Sequence, residues 1–318
     1  MKLCLVGPGC KPIPPTGWGA VESIVWDYYT ELIKRNMDVT IINDPNLNQV
    51  LRRIVAEEYT HVHIMYDDHV VLAPYLAQYS DPKIKVFYTS HYAYLTHPEL
   101  PNMPYFHTIF NHVLACPNMH ILAISEPIRQ VYIKHGYPKD HVRVLHNGAS
   151  ARLFAYIELP KRSERTLYLG KIEARKRQYL YQGIPSIDFV GNFHDSSFDQ
   201  THPHYLGEWT RDTLYHHMSH YGNLALLSDG EADPLVVKEA LMCGLGVVLS
   251  ECSGANLDLK DYITIIPNER LEDIAFVEQE IIRNREISVS KRDEIRQYGL
   301  SVFSWSTIVD RYLNMLHT

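Results

Sequence analysis

Short apolar runs punctuate the chain at residues 3–6, 39–42, 62–65, 84–88, 121–124 and 142–145, and again at 167–169, 187–190, 224–227, 247–249 and 262–266. Each is too short for a helix and predicts a buried strand. Between the first two runs, Val21, Ile24, Val25, Tyr28, Leu32 and Ile33 fall at three- and four-residue steps, which predicts an amphipathic helix starting near Ala20. Strands alternating with helices predict parallel sheets covered on both faces. The alternation pauses over residues 149–164, after the turn signal Asn147-Gly148, where charge replaces periodicity. The expectation is an α/β protein of two doubly wound, Rossmann-like domains, 1–155 and 156–300. They would face a central cleft, with ligands at the carboxyl ends of the strands.

The 318 residues suffice for two cores, and 46% hydrophobic with 21% charged residues excludes wholesale disorder. A formal charge of −7 argues against nucleic acid as a partner, while leaving room for a local basic patch against anionic lipid. Five cysteines without paired spacing suggest a reducing compartment. The opening apolar run is too short for a signal-peptide core, and no stretch nears the roughly 20 apolar residues of a membrane span. The expected location is cytoplasmic, at most peripheral to a membrane.

Candidate chemistry concentrates at strand ends. Residues 231–239, EADPLVVKE, place Glu231 and Glu239 eight positions apart, at the expected start and second turn of a helix. A loop leading into a helix start offers backbone N–H groups to an anion, and carboxylates accept hydrogen bonds from hydroxyls. Phosphate on the backbone and hydroxyls on the acids is what a nucleotide-sugar requires, although two Glu at this spacing also suit a solvated helix face. After run 167–169 comes Gly170-Lys171-Ile172-Glu173-Ala174-Arg175-Lys176, whose cations could meet charge on a departing diphosphate. A Gly- and Pro-rich loop, 7–22, carries Gly17 and Gly19 just before the first helix, where glycine permits close backbone approach to a ligand. Its glycine spacing is not the dinucleotide fingerprint. His91 follows run 84–88 and would project from a strand end.

The segment 231–244, continuing as Ala240-Leu241-Met242-Cys243-Gly244, resembles the Glu-seven-Glu motif of the retaining GT-B glycosyltransferases of family 4 (glycosyl transferases group 1). Residues 170–176 resemble the family's basic loop, with Lys176 matching its lysine and Lys171 where arginine is usual. The loop with Gly17 and Gly19 resembles its amino-terminal Gly-rich loop, and His91 its histidine near the reacting sugar carbon. Ser125-Glu126 and His146-Asn147-Gly148 are weaker matches. Phe303-Ser304-Trp305, followed by Ile308, Tyr312 and Leu313, resembles the tail helix, here 301–318, that returns to the first domain.

The resemblance implies transfer of a hexose from a nucleotide diphosphate sugar to a hydroxyl of a glycan, lipid or small molecule, with retention, no metal and no cofactor. Its catalytic residues would be His91, Lys171, Lys176 and Glu231. The donor would be bound by Gly17, Gly19, Gly170, Asp233, Pro234, Leu235, Val236 and Glu239, with Glu239 on the ribose and Glu231 on the sugar hydroxyls. Two departures stand out. Pro234 replaces a common glycine and removes a backbone donor, and Asp233 replaces an often aromatic residue, adding a third acid near the sugar. His216 and His220, with His217 between them, have helical spacing but lack a metalloprotease glutamate, so no metal site is assigned. Two other classes remain: an epimerase or hydrolase consuming the nucleotide-sugar without an acceptor, and a non-catalytic nucleotide-sugar binder.

Overall fold

The computed structural model describes residues 1–17, 19–79, 84–97, 99 and 103–317. The chain separates into two compact units, Met1–Asn147 with Trp305–Thr318, and Gly148–Ser304.

In the first unit the elements run β1 (Lys2–Val6), α1 (Ala20–Lys34), β2 (Asp38–Ile42), α2 (Leu47–Ala56), β3 (His61–Ile64), α3 (Ala73–Tyr79), β4 (Lys85–Tyr88), α4 (Pro104–Leu114), β5 (His120–Ala123), α5 (Glu126–Lys134) and β6 (Val142–Val144). The strands pair in parallel in the order β2-β1-β3-β4-β5-β6. Each apolar run expected to be a strand is one. Helix starts follow local chemistry: the Asn46 side chain accepts the N–H groups of Asn48 and Gln49 at α2, and Ser125 accepts that of Ile128 at α5. On α1, Ile24, Val25, Tyr28 and Leu32 are buried as expected, but Ile33 is 45% exposed and Glu22 is buried in its stead. Ile33 sits one residue, about 100° of helix, beyond Leu32, past the edge of the stripe.

The second unit contains β7 (Arg162–Leu169), β8 (Ile187–Val190), α6 (Arg211–His217), β9 (Tyr221–Leu226), α7 (Leu235–Met242), β10 (Gly246–Ser250), β11 (Ile263–Ile266), α8 (Ile274–Ser290) and α9 (Arg292–Phe303). Its parallel order is β11-β10-β9-β7-β8. Strand order reverses between β7 and β9, which makes their carboxyl ends the switch point of this sheet. The expected boundary at 155 differs from where the units divide. Phe154 is buried against the Tyr215 ring, 5.0 Å between centroids, and Ala149 bridges to Ser304, so residues 148–155 lie with the second unit.

Phe303 ends α9 and is buried there rather than opening the tail helix. The tail helix α10 (Trp305–Leu316) belongs to the first unit. Its Tyr312 is fully buried, with the ring 5.0 Å from that of Tyr28 and the hydroxyl 3.0 Å from Nδ1 of His63. At its rim Arg35 reaches Asp310 at 2.9 Å. Among the described residues no helix is long and apolar enough to cross a membrane.

Candidate functional site

At the switch point of the second unit the loops that follow β7 and β9 bind each other. The Tyr168 hydroxyl, fully buried at the end of β7, accepts the Leu227 N–H at 2.8 Å and donates to the Lys176 carbonyl. The Asp229 N–H donates to the Arg175 carbonyl at 2.8 Å, and Arg177 Nε meets the Asp229 carboxylate at 2.6 Å. Arg177 adopts φ 54°, a left-handed turn that folds the loop back. Buried Gln178 fastens the loop's start, donating to the Lys171 carbonyl at 2.9 Å and accepting the Glu173 N–H.

This brings Lys176 and Glu231 together, with Nζ 3.0 Å from Oε1. Arg175 adds a second cation to the same oxygen at 3.1 Å, while its other arm holds Glu173 at 2.6 Å. Burial by itself would raise the Glu231 carboxyl, but Lys176 and Arg175 outweigh it and hold it below the usual range. Gly170 lies beneath this pair at φ 154°, a conformation that favours glycine, and a Cβ there would crowd Lys176 Nζ at 3.2 Å. Lys171 is not part of the pair: its side chain is 47% exposed, with Nζ 3.8 Å from Glu173.

Glu231 lies in the loop before α7, not at the helix start as expected. Pro234 sits at the N-cap with φ −66° and ψ 123°, an extended conformation that delays the helix to Leu235. The N–H groups of Leu235 and Val236 occupy the first turn, which lacks intrahelical acceptors. Glu239, one turn further, is buried and pairs with Arg211 at 3.2 Å. Burial raises its carboxyl above the ordinary range despite Arg211.

Asp233 lies deeper than a loop position suggests. Its side chain is fully buried, paired with the equally buried Lys238 and with Asn256 at 2.6 Å. It serves as an internal counter-ion to Lys238. A buried lysine beside a buried aspartate is stable as a pair and costly if either is left alone.

The first unit carries the remaining candidates. Gly17 and Gly19 do not have positive φ. A Cβ on Gly17 would meet nothing within 4 Å, whereas one on Gly19 would meet the Glu22 carboxylate at 2.7 Å. Gly19 thus permits contact with a helix-start acid rather than a left-handed turn. His91 follows β4 with both ring nitrogens shielded from water. Asp67 is buried and bonded to the Tyr88 and Ser90 hydroxyls, and burial pushes its carboxyl up to about 7. His216 bonds the Asp212 carbonyl at 2.8 Å. Among the described residues no group of three or more His, Cys, Asp or Glu is placed to hold a metal ion.

Against solved structures the likeness spans the whole chain. Sucrose-phosphate synthase (tll1590) from Thermosynechococcus elongatus superposes with a TM-score of 0.77 at 16% identity, covering 100% of this chain and 98% of that one. Anabaena Alr3699/HepE in complex with UDP gives 0.74 at 15% identity, covering 100% of both chains. AviGT4, a glycosyltransferase involved in avilamycin A biosynthesis, gives 0.73 at 14% identity, covering 100% and 97%. The fold is GT-B. No protein-family model matches the sequence, and a search of curated proteins finds no match.

Sequence reasoning missed Arg175, Arg211, Lys238 and Asn256. Arg175 stood inside the basic loop, and its signal was a second cation beside Lys176. Lys238 carried a weak signal, a charge within the otherwise apolar run Leu235-Val236-Val237. Arg211 and Asn256 lie far along the chain from their partners and left none.

Proposed function

We propose that the protein transfers a hexose from a nucleotide diphosphate sugar to a hydroxyl acceptor. The observation that carries this reading is the placement of Lys176, Arg175, Glu231 and the start of α7 at one switch point in the second unit. Cations and free N–H groups suit a diphosphate there, and carboxylates suit the hydroxyls on either side of it. The neighbour structures of HepE in complex with UDP and with UDP-glucose support a uridine nucleotide as the first donor to test.

In this reading the Leu235 and Val236 N–H groups and the Lys176 ammonium bind the diphosphate. Glu239 accepts the ribose hydroxyls and Glu231 those of the sugar. The bond between the anomeric carbon and the diphosphate oxygen breaks, and the acceptor oxygen bonds to that carbon on the same face, giving retention. The leaving diphosphate takes the acceptor's proton. Lys176 and Arg175 meet the charge that grows on the diphosphate, a role worth several kcal/mol in a closed site. That charge is met by side chains, so the proposal requires no metal. Lys171, exposed and paired with Glu173, has the lesser part. His91 is proposed to lie near the reacting carbon, and Gly17 and Gly19 near the diphosphate.

The test is incubation with uridine, guanosine and adenosine diphosphate sugars, with and without a panel of sugar and lipid hydroxyl acceptors. Release of nucleotide only when acceptor is added supports the transferase. Release or sugar conversion without acceptor supports the epimerase or hydrolase reading, and binding without turnover supports a non-catalytic binder.

A further inference from the structure

We propose that the second unit carries a separate site for a phosphorylated monosaccharide at the amino-terminal edge of its sheet. A pocket of about 390 Å³ lies there, within the range of about 300–1,000 Å³ typical of small-molecule sites. Its walls include Lys161 and Arg162 at the start of β7, Tyr221 at the start of β9, and Trp209, His217 and His220 around α6. Arg162 and Tyr221 are paired in register, so the pocket sits at the first residues of the two strands whose last residues lead to Lys176 and Glu231. The two sites are at opposite ends of the same strands.

Its chemistry has two halves. No acid is among the lining residues. Arg162 is partly neutralised by Asp188 at 3.1 Å, but among the described residues Lys161 and His217 form no ion pair. His220 feels this excess of positive charge: burial first, then Lys161, His217 and Arg162, holds its imidazole below the usual range. Its Nδ1 is shielded from water and has no hydrogen-bond partner in the described structure. A dianionic phosphate, accepting several charge-assisted hydrogen bonds, fits that cluster better than a carboxylate does.

The other half is aromatic. The Trp209 ring lies 6.3 Å from that of Tyr221 and 5.8 Å from that of His217, each inclined by 50°. Rings so inclined form a corner rather than a parallel slot. A corner suits the C–H face of a chair-shaped pyranose, whereas a flat nucleobase is held best by stacking on a parallel ring.

Calorimetry on the full chain tests this, with glucose 6-phosphate, glucose, inorganic phosphate and uridine monophosphate as probes. Glucose 6-phosphate is expected to bind at least tenfold more tightly than the other three. Lys161→Gln and Trp209→Ala should each weaken it about tenfold or more, and Lys176→Ala should leave it unchanged. Lys161 is exposed, so its variant reports even where Trp209→Ala fails to fold. Absence of binding by the wild type overturns the proposal. So does binding indifferent to Lys161→Gln, binding lost in Lys176→Ala, or tighter binding of uridine monophosphate.

Discussion

The ammonium of Lys176 and the carboxylate of Glu231 lie 3.0 Å apart, each side chain only 12% exposed, although 55 residues separate them. Arg175 holds the same oxygen of Glu231 and, with its other arm, Glu173, so two cations and two carboxylates meet at the end of β7. Cations fixed in this way suit a group that becomes more negative during reaction. Lys176→Ala is expected to lower turnover by roughly a hundredfold or more, as loss of an oxyanion donor does. Donor affinity should fall much less. Lys171→Ala, at an exposed side chain, should lower turnover by less than Lys176→Ala. Turnover and donor affinity measured in one buffer separate these outcomes, and near wild-type turnover in Lys176→Ala would reduce the basic loop to a solvated surface.

Glu231→Ala should weaken the nucleotide-sugar while sparing the nucleotide alone. A hydrogen bond to a charged group is worth about 1.5–3 kcal/mol, roughly a ten- to hundredfold change in affinity. Its removal also frees Lys176 and Arg175, so nucleotide affinity is expected to hold or rise. Equal losses for both ligands in calorimetry would contradict the assignment to the sugar.

The Asp233–Lys238 pair tests the loop's structural support. Lys238→Met leaves a buried carboxylate without its cation and should cost about 3–5 kcal/mol. The double variant Asp233→Leu with Lys238→Met should recover most of that stability. Chemical denaturation of the single and double variants decides it; a double variant as unstable as Lys238→Met would mean the pair is not the source of the cost.

His63 predicts a pH dependence in the first unit. It is fully buried between the Tyr312 and Thr89 hydroxyls, and burial first, then His91, holds its pKa down to about 3 from 6.5. The unfolded chain therefore takes up a proton below 6.5 that the folded chain refuses. Stability should fall as pH drops from 6.5 towards 3 and level off below that. His63→Gln should flatten this interval relative to wild type in denaturation curves collected across it. An unchanged slope would show that His63 is not the group responsible.

The fold was legible because most strands are largely buried and therefore mainly apolar. The expected strand 187–190 is β8 residue for residue, although Asp188 interrupts its apolar side chains. The boundary was harder: residues 148–155 lack periodicity, and the burial of Phe154 and the bridge from Ala149 to Ser304 assign them to the second unit. At the site, Glu231 and Lys176 stood in motifs whose residue types state their chemistry. The burial of Asp233 was not legible, because a carboxylate in a loop looks solvent-facing until its partner is known. That partner, Lys238, lies five residues on, inside the helix. Glu239 was legible as an acid, but Arg211, its partner 28 residues earlier, depends on how α6 packs.

The central claim is that the switch point between β7 and β9 binds a nucleotide diphosphate sugar, with buried Glu239 on the ribose. Calorimetry of uridine diphosphate and uridine diphosphate glucose against wild type and Glu239→Gln tests it most directly, with thermal unfolding confirming that the variant is folded. The account predicts that the wild type binds both ligands and that Glu239→Gln weakens both alike, by roughly a ten- to hundredfold. Because the Glu239 carboxyl sits above the ordinary range, wild-type affinity should also fade on acidification at a higher pH than an ordinary glutamate would give. Binding of both ligands unchanged in Glu239→Gln, or no binding by the wild type of these or of the guanosine and adenosine counterparts, would contradict it.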